Sequence, residues 1–275
     1  MTSRKDVWKH VYQILGQHKD SNPTQINYNG RLISSPQELA NSFNEIFLEK
    51  VHKLKASISN ESSNSPVDRL ANWLNGRDSL IQDFNLKPIE KCTLRKLVTR
   101  LKGSRTSGYD QVDSFSLKLA APFIEDILLH LVNLSLVQYP ECWKTQLVHP
   151  FHKKGDKSKG ENYRPVSHIP EVSKLVEYAV QEQIRNHFEA NDLFHRNHHG
   201  FLPFRNTATA LLQIYDIFLA NAEKKEISGA LFLDLSAAFD IVDHSILLRK
   251  LTAYGFTPSA VAFFKSYLSN RLQRV

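Results

Sequence analysis

Cysteine is nearly absent from this 275-residue chain, with Cys92 and Cys142 the only two. Two thiols are too few for a disulfide framework or a four-ligand zinc site, so a reducing compartment is the simpler assumption and both side chains are expected as small buried apolar residues. Long hydrophobic runs are missing as well. No stretch of 18 apolar residues occurs, and positions 1–20 are polar and charged rather than built as a signal peptide. The expectation is a soluble, intracellular chain, in the nucleus or the cytoplasm, with no membrane partner. No internal repeat is present, which excludes a solenoid or repeat array.

With 41% hydrophobic residues the chain can bury a real core, as one large domain or two modest ones. Lys and Arg total 35 against 28 Asp and Glu, a net charge of +7. That balance favours polyanionic partners, and a mildly basic protein with no such partner fits it equally well.

The hydrophobic spacing organises the chain. Val7, Trp8, Val11, Tyr12 and Leu15 mark a short amphipathic helix, and a second runs from Ser35 to about Leu54 with Pro36 in its first turn. Asn29-Gly30 between them reads as a hairpin turn. The Ser/Asn-rich stretch from Ser57 to Pro66 buries almost nothing and reads as a linker. Leu94, Leu97, Val98 and Leu101 are spaced as a helix, a breaker-rich loop spans Lys102 to Gly108, and helices resume over 114–121 and 122–138. Leu147 to Phe151 and Tyr163 to Ile169 read as the two strands of a β-hairpin. From His149 to His168 there are five Lys or Arg against two Asp or Glu, enough for a local basic surface.

Further on, one helix carries Val172, Leu175, Val176, Ala179 and Ile184, and another starts near Thr207 with Ala210, Leu211, Ile214, Ile217 and Phe218 facing inward. Gly229 to Leu233 is a continuous apolar run entering an aspartate, the pattern of a strand buried on both faces. Asp243 is placed to cap a helix closed by Gly255, and Thr257-Pro258 opens one more. His195, His198 and His199 lack partner ligands at metal spacing and read as a solvated or phosphate-facing loop.

The run Leu233-Asp234-Leu235-Ser236-Ala237-Ala238-Phe239-Asp240 concentrates the chemistry. A carboxylate at the end of a buried strand is a good place to hold a divalent cation against a triphosphate. An aspartate after a strand is about as often a helix cap, so the pattern alone leaves both open. Phe-x-Asp-x-x-x-Ala-Phe-Asp followed by Val-Asp-His-x-x-Leu-Leu-x-Lys-Leu resembles the first catalytic palm motif of non-LTR retrotransposon reverse transcriptases. His152 to Lys157 with Asn162 to Ser167 resembles that family's fingers hairpin, Lys102 to Asp110 resembles the loop before it, and Phe263 to Arg271 resembles the segment after the palm helix. Asn29 to Arg31 and Leu39 to Asn44 resemble the stretch such elements place between endonuclease and polymerase, so the likeness covers essentially the whole chain.

The resemblance implies an α+β fold with helix-rich fingers, a basic β-hairpin and an incomplete palm sheet. It divides the chain into a helical N-terminal linker region (1–56), a flexible linker (57–87), fingers and palm entrance (88–228) and a partial palm with the first catalytic motif (229–275). It implies Asp234 as catalytic side chain and ligand of paired Mg2+ ions, and the Leu235 carbonyl as a further metal ligand. Lys153 and Arg164 would clamp the incoming triphosphate, and Phe239 would be the steric gate against a ribose 2′-hydroxyl. The implied partners are an RNA template, a DNA primer and deoxynucleoside triphosphates. The chain departs from the family in two places. Leu202 follows Gly200-Phe201 where an arginine is usual, leaving Arg205 nearby, and no Tyr-x-Asp-Asp occurs in the 275 residues. Two-metal phosphoryl transfer needs several converging carboxylates, so the expectation is a polymerase fragment inactive by itself, or a non-catalytic nucleic-acid-binding module derived from that polymerase.

Overall fold

The computed structural model describes residues 23–57, 65–76, 81–235 and 237–275. The amphipathic stretch around Trp8, most of the Ser/Asn-rich linker and Ser236 lie outside the described residues. The architecture is mixed α+β, and the chain divides into two compact units. Among the described residues the first comprises 23–57, 87–178 and 262–275, and the second 65–76, 81–86, 179–235 and 237–261.

In the first unit, β1 (Ile26–Tyr28) and β2 (Arg31–Ile33) pair antiparallel across Asn29-Gly30. Both turn residues take left-handed φ, 52° and 76°, which asparagine and glycine tolerate best and which suits the strand twist. Helix α1 (Pro36–Ala56) starts on Ser35 with proline in its first turn. Leu39, Phe43, Ile46 and Phe47 recur at helical spacing and are buried. They form one cluster with Ile26, Val148 and Tyr163, which joins α1 and β1 to the hairpin of β3 (Thr145–His152) and β4 (Tyr163–His168). Strand β5 (Leu272–Arg274) adds parallel to β3, giving the order β4-β3-β5.

Three helices complete this unit's described layers: α3 (Lys91–Arg100), α4 (Ser114–Ala120) and α5 (Glu125–Ser135). Leu94 and Leu97 of α3 and Leu128 and Val132 of α5 are essentially inaccessible. Asn133 closes the start of α3 with both ends of its amide, accepting from Ile89 N at 2.8 Å and donating to Ile89 O at 3.1 Å. Arg95 grips Glu125 bidentately at 2.6 and 2.8 Å.

The second unit contains α2 (Pro66–Asn75), α7 (Thr207–Glu223) and α8 (His244–Ala253). The division between units falls within α6 (Glu171–Ala190) and α9 (Pro258–Leu268). Phe84 and Phe256 pack tilted to one another at 4.3 Å between ring centroids beside the buried His187, whose Nε2 lies 2.8 Å from Tyr254 O. Asp243 caps α8 by accepting from Ser245 N and Ile246 N at 2.8 and 3.0 Å, and Gly255 follows the helix end with φ of 85°.

Three expectations from the sequence fail. Cys92 and Cys142 are exposed, because α3 turns Leu94 and Leu97 inward and leaves Cys92 on its outer side, while Cys142 sits in a short 3-10 turn. Helix α7 forms where the spacing places it, yet Leu211, Ile217 and Phe218 are exposed rather than inward. The run 229–233 is not a strand. Leu231, Phe232 and Leu233 expose 84, 77 and 83% of their surface, and the three-stranded sheet contains none of them.

Candidate nucleic-acid interface

The β3–β4 hairpin is built so that its two faces differ. In its register Tyr163 opposes His152, Arg164 opposes Phe151 and Val166 opposes His149. Directly opposed residues share a face, and successive residues alternate. Tyr163 and Val148 therefore turn into the α1 cluster, with the Tyr163 ring edge-on to Phe43 at 5.0 Å. Arg164, Phe151, Val166 and His149 turn outward and are all exposed. Lys153, whose N–H donates to Asn162 O at 2.9 Å, continues the alternation onto the same outward face. Arg164 thus shares one exposed face with the Phe151 ring it opposes, and Lys153, exposed just past the end of β3, follows the same alternation.

The tip of the hairpin is held from within. Asp156 accepts from Ser158 N and Ser158 Oγ at 2.9 and 2.8 Å, and these bonds hold its carboxyl below the usual aspartate range. Asn162 donates to Asp156 O at 2.9 Å, and Tyr163 OH donates to Lys157 O at 2.8 Å. Strand β1 braces it from outside through Asn27 N, which donates to Ser158 O at 2.7 Å. Lys153, Lys154, Lys157 and Lys159 are all exposed around this ordered tip. At the other end of the face, His149 and His168 meet edge-on at 5.0 Å. Burial, then His149 and Lys174, push the His168 imidazole below its ordinary value. Phe151 and His149 were not singled out by sequence reasoning, although the period-2 alternation through Arg164 was enough to find them.

Asp234, Leu235 and Phe239 belong to the second unit. Asp234 and Leu235 are exposed in irregular chain, and the Phe239 ring lies edge-on to Phe201 at 6.0 Å. Ala237 takes a left-handed φ of 51° in the turn that follows, and Asp240 N donates to Ala237 O at 2.9 Å. Among the described residues no group of three or more His, Cys, Asp or Glu is placed to hold a metal ion. One exposed carboxylate and one carbonyl do not make a two-ion site, so the described residues do not by themselves fit a pair of magnesium ions. The histidine-bearing loop is ordered by hydrogen bonds: His199 meets Thr209 Oγ1 at 2.9 Å and Gln213 Oε1 at 2.8 Å, and Arg205 donates to Arg196 O and His198 O at 2.7 Å each. Among the described residues, no helix is long and apolar enough to cross a membrane.

Residues 152–275 match the family described as reverse transcriptase (RNA-dependent DNA polymerase). Over 197 residues the chain is 28% identical to a probable RNA-directed DNA polymerase from transposon X-element of Drosophila melanogaster, covering 70% of this chain and 22% of the relative. It is 27% identical over 190 residues to the RNA-directed DNA polymerase from mobile element jockey of Drosophila funebris, covering 67% and 20%. A transposon TX1 protein of 149 kDa from Xenopus laevis is 33% identical over 115 residues, covering 42% of this chain and 9% of the relative. The chain spans about a fifth of the length of the first two relatives. Residues 152–275 are accordingly a reverse transcriptase domain, and the chain is a distant homologue of the RNA-directed DNA polymerases of non-LTR transposable elements.

Proposed function

We propose that this chain supplies the fingers and the first part of the palm of an RNA-directed DNA polymerase of a non-LTR element, with 88–228 as fingers and palm entrance and 229–275 as partial palm. Residues 1–56 and 57–87 act in this reading as N-terminal linker region and flexible linker. The whole protein would add deoxynucleotides to a DNA 3′ end copied from RNA, in the nucleus or the cytoplasm. The observation that carries the reading is the common outward face of Lys153 and Arg164 on an internally braced hairpin. A guanidinium grips phosphate oxygens in pairs while an ammonium acts as a point charge, so the two suit a triphosphate or a polynucleotide backbone. Asp234 is assigned as a metal ligand with the Leu235 carbonyl, and Phe239 as the sugar gate.

Residues 1–275 by themselves are assigned phosphate binding without primer extension, because Asp234 alone cannot complete a two-ion site. The test is binding of a labelled RNA–DNA hybrid by residues 1–275 as salt is raised. Each phosphate contact adds about 0.9 to the slope of log affinity against log salt for duplex DNA, so Lys153→Ala with Arg164→Ala should lower that slope by about two. Affinity that does not change with salt, or a double variant that binds like the parent, defeats the assignment. A chimera completed with a related palm segment and thumb should extend a primer, and Asp234→Ala should abolish that extension.

A further inference from the structure

Helix α5 and the turns on either side of it are apolar on two sides. Leu117, Leu128, Val132 and Leu136 turn into the first unit and are buried. On the opposite side Leu119, Phe123, Ile127, Leu131, Leu134 and Val137 are all exposed, Phe123 by 87%. A surface helix places polar residues on its outer side, and a helix apolar all round belongs between two covering layers. We propose that the second layer is another copy of this chain, docked antiparallel on the same stripe in a dimer with two-fold symmetry.

The stripe is one surface because the chain winds continuously beneath it. Phe123 N and Ile124 N both donate to Ala120 O, at 2.9 and 3.2 Å, which carries α4 into α5 past Pro122. Beyond the end of α5, Val137 N donates to Leu134 O at 3.1 Å. The six exposed residues follow one another every three or four positions, the repeat of a single helix face. Phe115, one turn before Leu119, is already covered: the Arg105 guanidinium lies over its ring, 4.0 Å from the centroid. No such cover from the chain's own cations is seen over Phe123 among the described residues.

Area, length and charge point to a second copy. The six side chains expose on the order of 700 Å² of apolar surface, above the largest patch of most monomers and close to the roughly 800 Å² that each partner brings to a standard interface. The apolar stripe read from Val7 to Leu15 is about half as long as the one from Leu119 to Val137 and would leave part of it bare, whereas a second copy matches it end to end. An isologous contact also needs a surface that complements itself. Asp126 and His130 are the exposed ionisable residues on this side, and Asp126 is already paired with Lys91. Parallel packing would set the two Asp126 carboxylates side by side. Antiparallel packing holds them at opposite ends, opposes the helix dipoles, and brings Ile127 of one copy against Leu134 of the other with Leu131 near the axis.

The test is sedimentation equilibrium of nuclease-treated residues 1–275. The mass should rise from the monomer's 31.6 kDa toward twice that value as concentration passes through the micromolar range. Ile127→Glu and Leu134→Lys, both at exposed positions, should keep the parent's circular dichroism and melting temperature. Each should raise the dissociation constant at least about tenfold, since it buries an unpaired charge in the contact. An equimolar mixture of the two variants should regain dimer, because the new carboxylate of one chain then faces the new ammonium of the other; a mixture that stays monomeric overturns the antiparallel pairing. A mass of 31.6 kDa at every concentration overturns the proposal, and so does a dimer that survives both single variants. The inference does not rest on the hairpin reading, so the Lys153→Ala, Arg164→Ala variant should dimerise like the parent. Loss of dimer in that variant with Ile127→Glu and Leu134→Lys silent would place the contact at the hairpin and overturn the stripe.

Discussion

Replacing Gly160 with alanine isolates the support that α1 gives to the basic hairpin. Gly160 opens the turn that leads into β4, and a Cβ built on it collides with Ile46 Cδ1 while meeting Ile46 Cγ1 at 3.6 Å and Ile26 Cδ1 at 3.7 Å. Only one of these contacts is a clash, so the strain is concentrated in a single methyl group. Ile46 is buried in the α1 cluster and has little room to yield, which puts the overpacking cost at roughly 1–3 kcal/mol. Ile46→Val removes the offending Cδ1 at a cost of roughly 0.5–1.5 kcal/mol and keeps Cγ1. The double variant should therefore be about as stable as Ile46→Val alone. The coupling between the two positions should be favourable by at least about 1 kcal/mol, well above the roughly 0.5 kcal/mol scatter of independent sites. Urea unfolding followed by circular dichroism on all four proteins measures it. Additive costs, or a Gly160→Ala variant as stable as the parent, would show that the hairpin turn is not seated on α1 as described.

Asp243→Ala removes two capping bonds at the start of α8 and should cost about 1 kcal/mol, with Asp243→Asn retaining most of it; equal stability of Asp243→Ala and parent would contradict the cap. Glu125 is held below the usual glutamate range, first by its hydrogen bonds from Arg95, so its folded value lies under its unfolded one. The stability this adds is present above the ordinary value near 4.5 and lost as pH falls through the folded value. Glu125→Gln should flatten that acid dependence in melts taken from pH 7 to pH 3, and an unchanged slope argues against the pairing. Cys92 and Cys142 are exposed, so both thiols should react with a colourless disulfide reagent in native buffer; reaction of both only after adding denaturant would restore the buried assignment.

Much of the first unit was legible because its signals are local. Asn29-Gly30 dictates a tight turn, Pro36 opens a helix, and two apolar stretches around a polar turn make a hairpin, whatever else the chain does. The candidate site was legible in part for the same reason, since alternation along β4 sets which side Arg164 takes. The brace from Asn27 to Ser158, the bidentate Arg95–Glu125 pair and the clash that keeps position 160 glycine join residues far apart in sequence, and one sequence carries no sign of them.

The two errors in the second unit have one physical root. Helix α7 and the run 229–233 are both apolar enough to demand cover, and both expose their large side chains among the described residues. Yet one forms its regular structure and the other does not. A helix satisfies its backbone groups within itself, so α7 needs only a start signal, and it has a strong one. Asn206 accepts from Thr209 N at 3.0 Å while Thr209 Oγ1 accepts from Asn206 N at 2.9 Å, a reciprocal capping box. A strand satisfies its backbone only through a neighbouring strand, and no ladder reaches 229–235 in either sheet. Apolar pattern reports which residues gain from burial, not whether a covering surface is at hand. The same pattern therefore placed α7 correctly as a helix and wrongly as a buried one, and it read as a strand a segment whose pairing depends on residues other than its own.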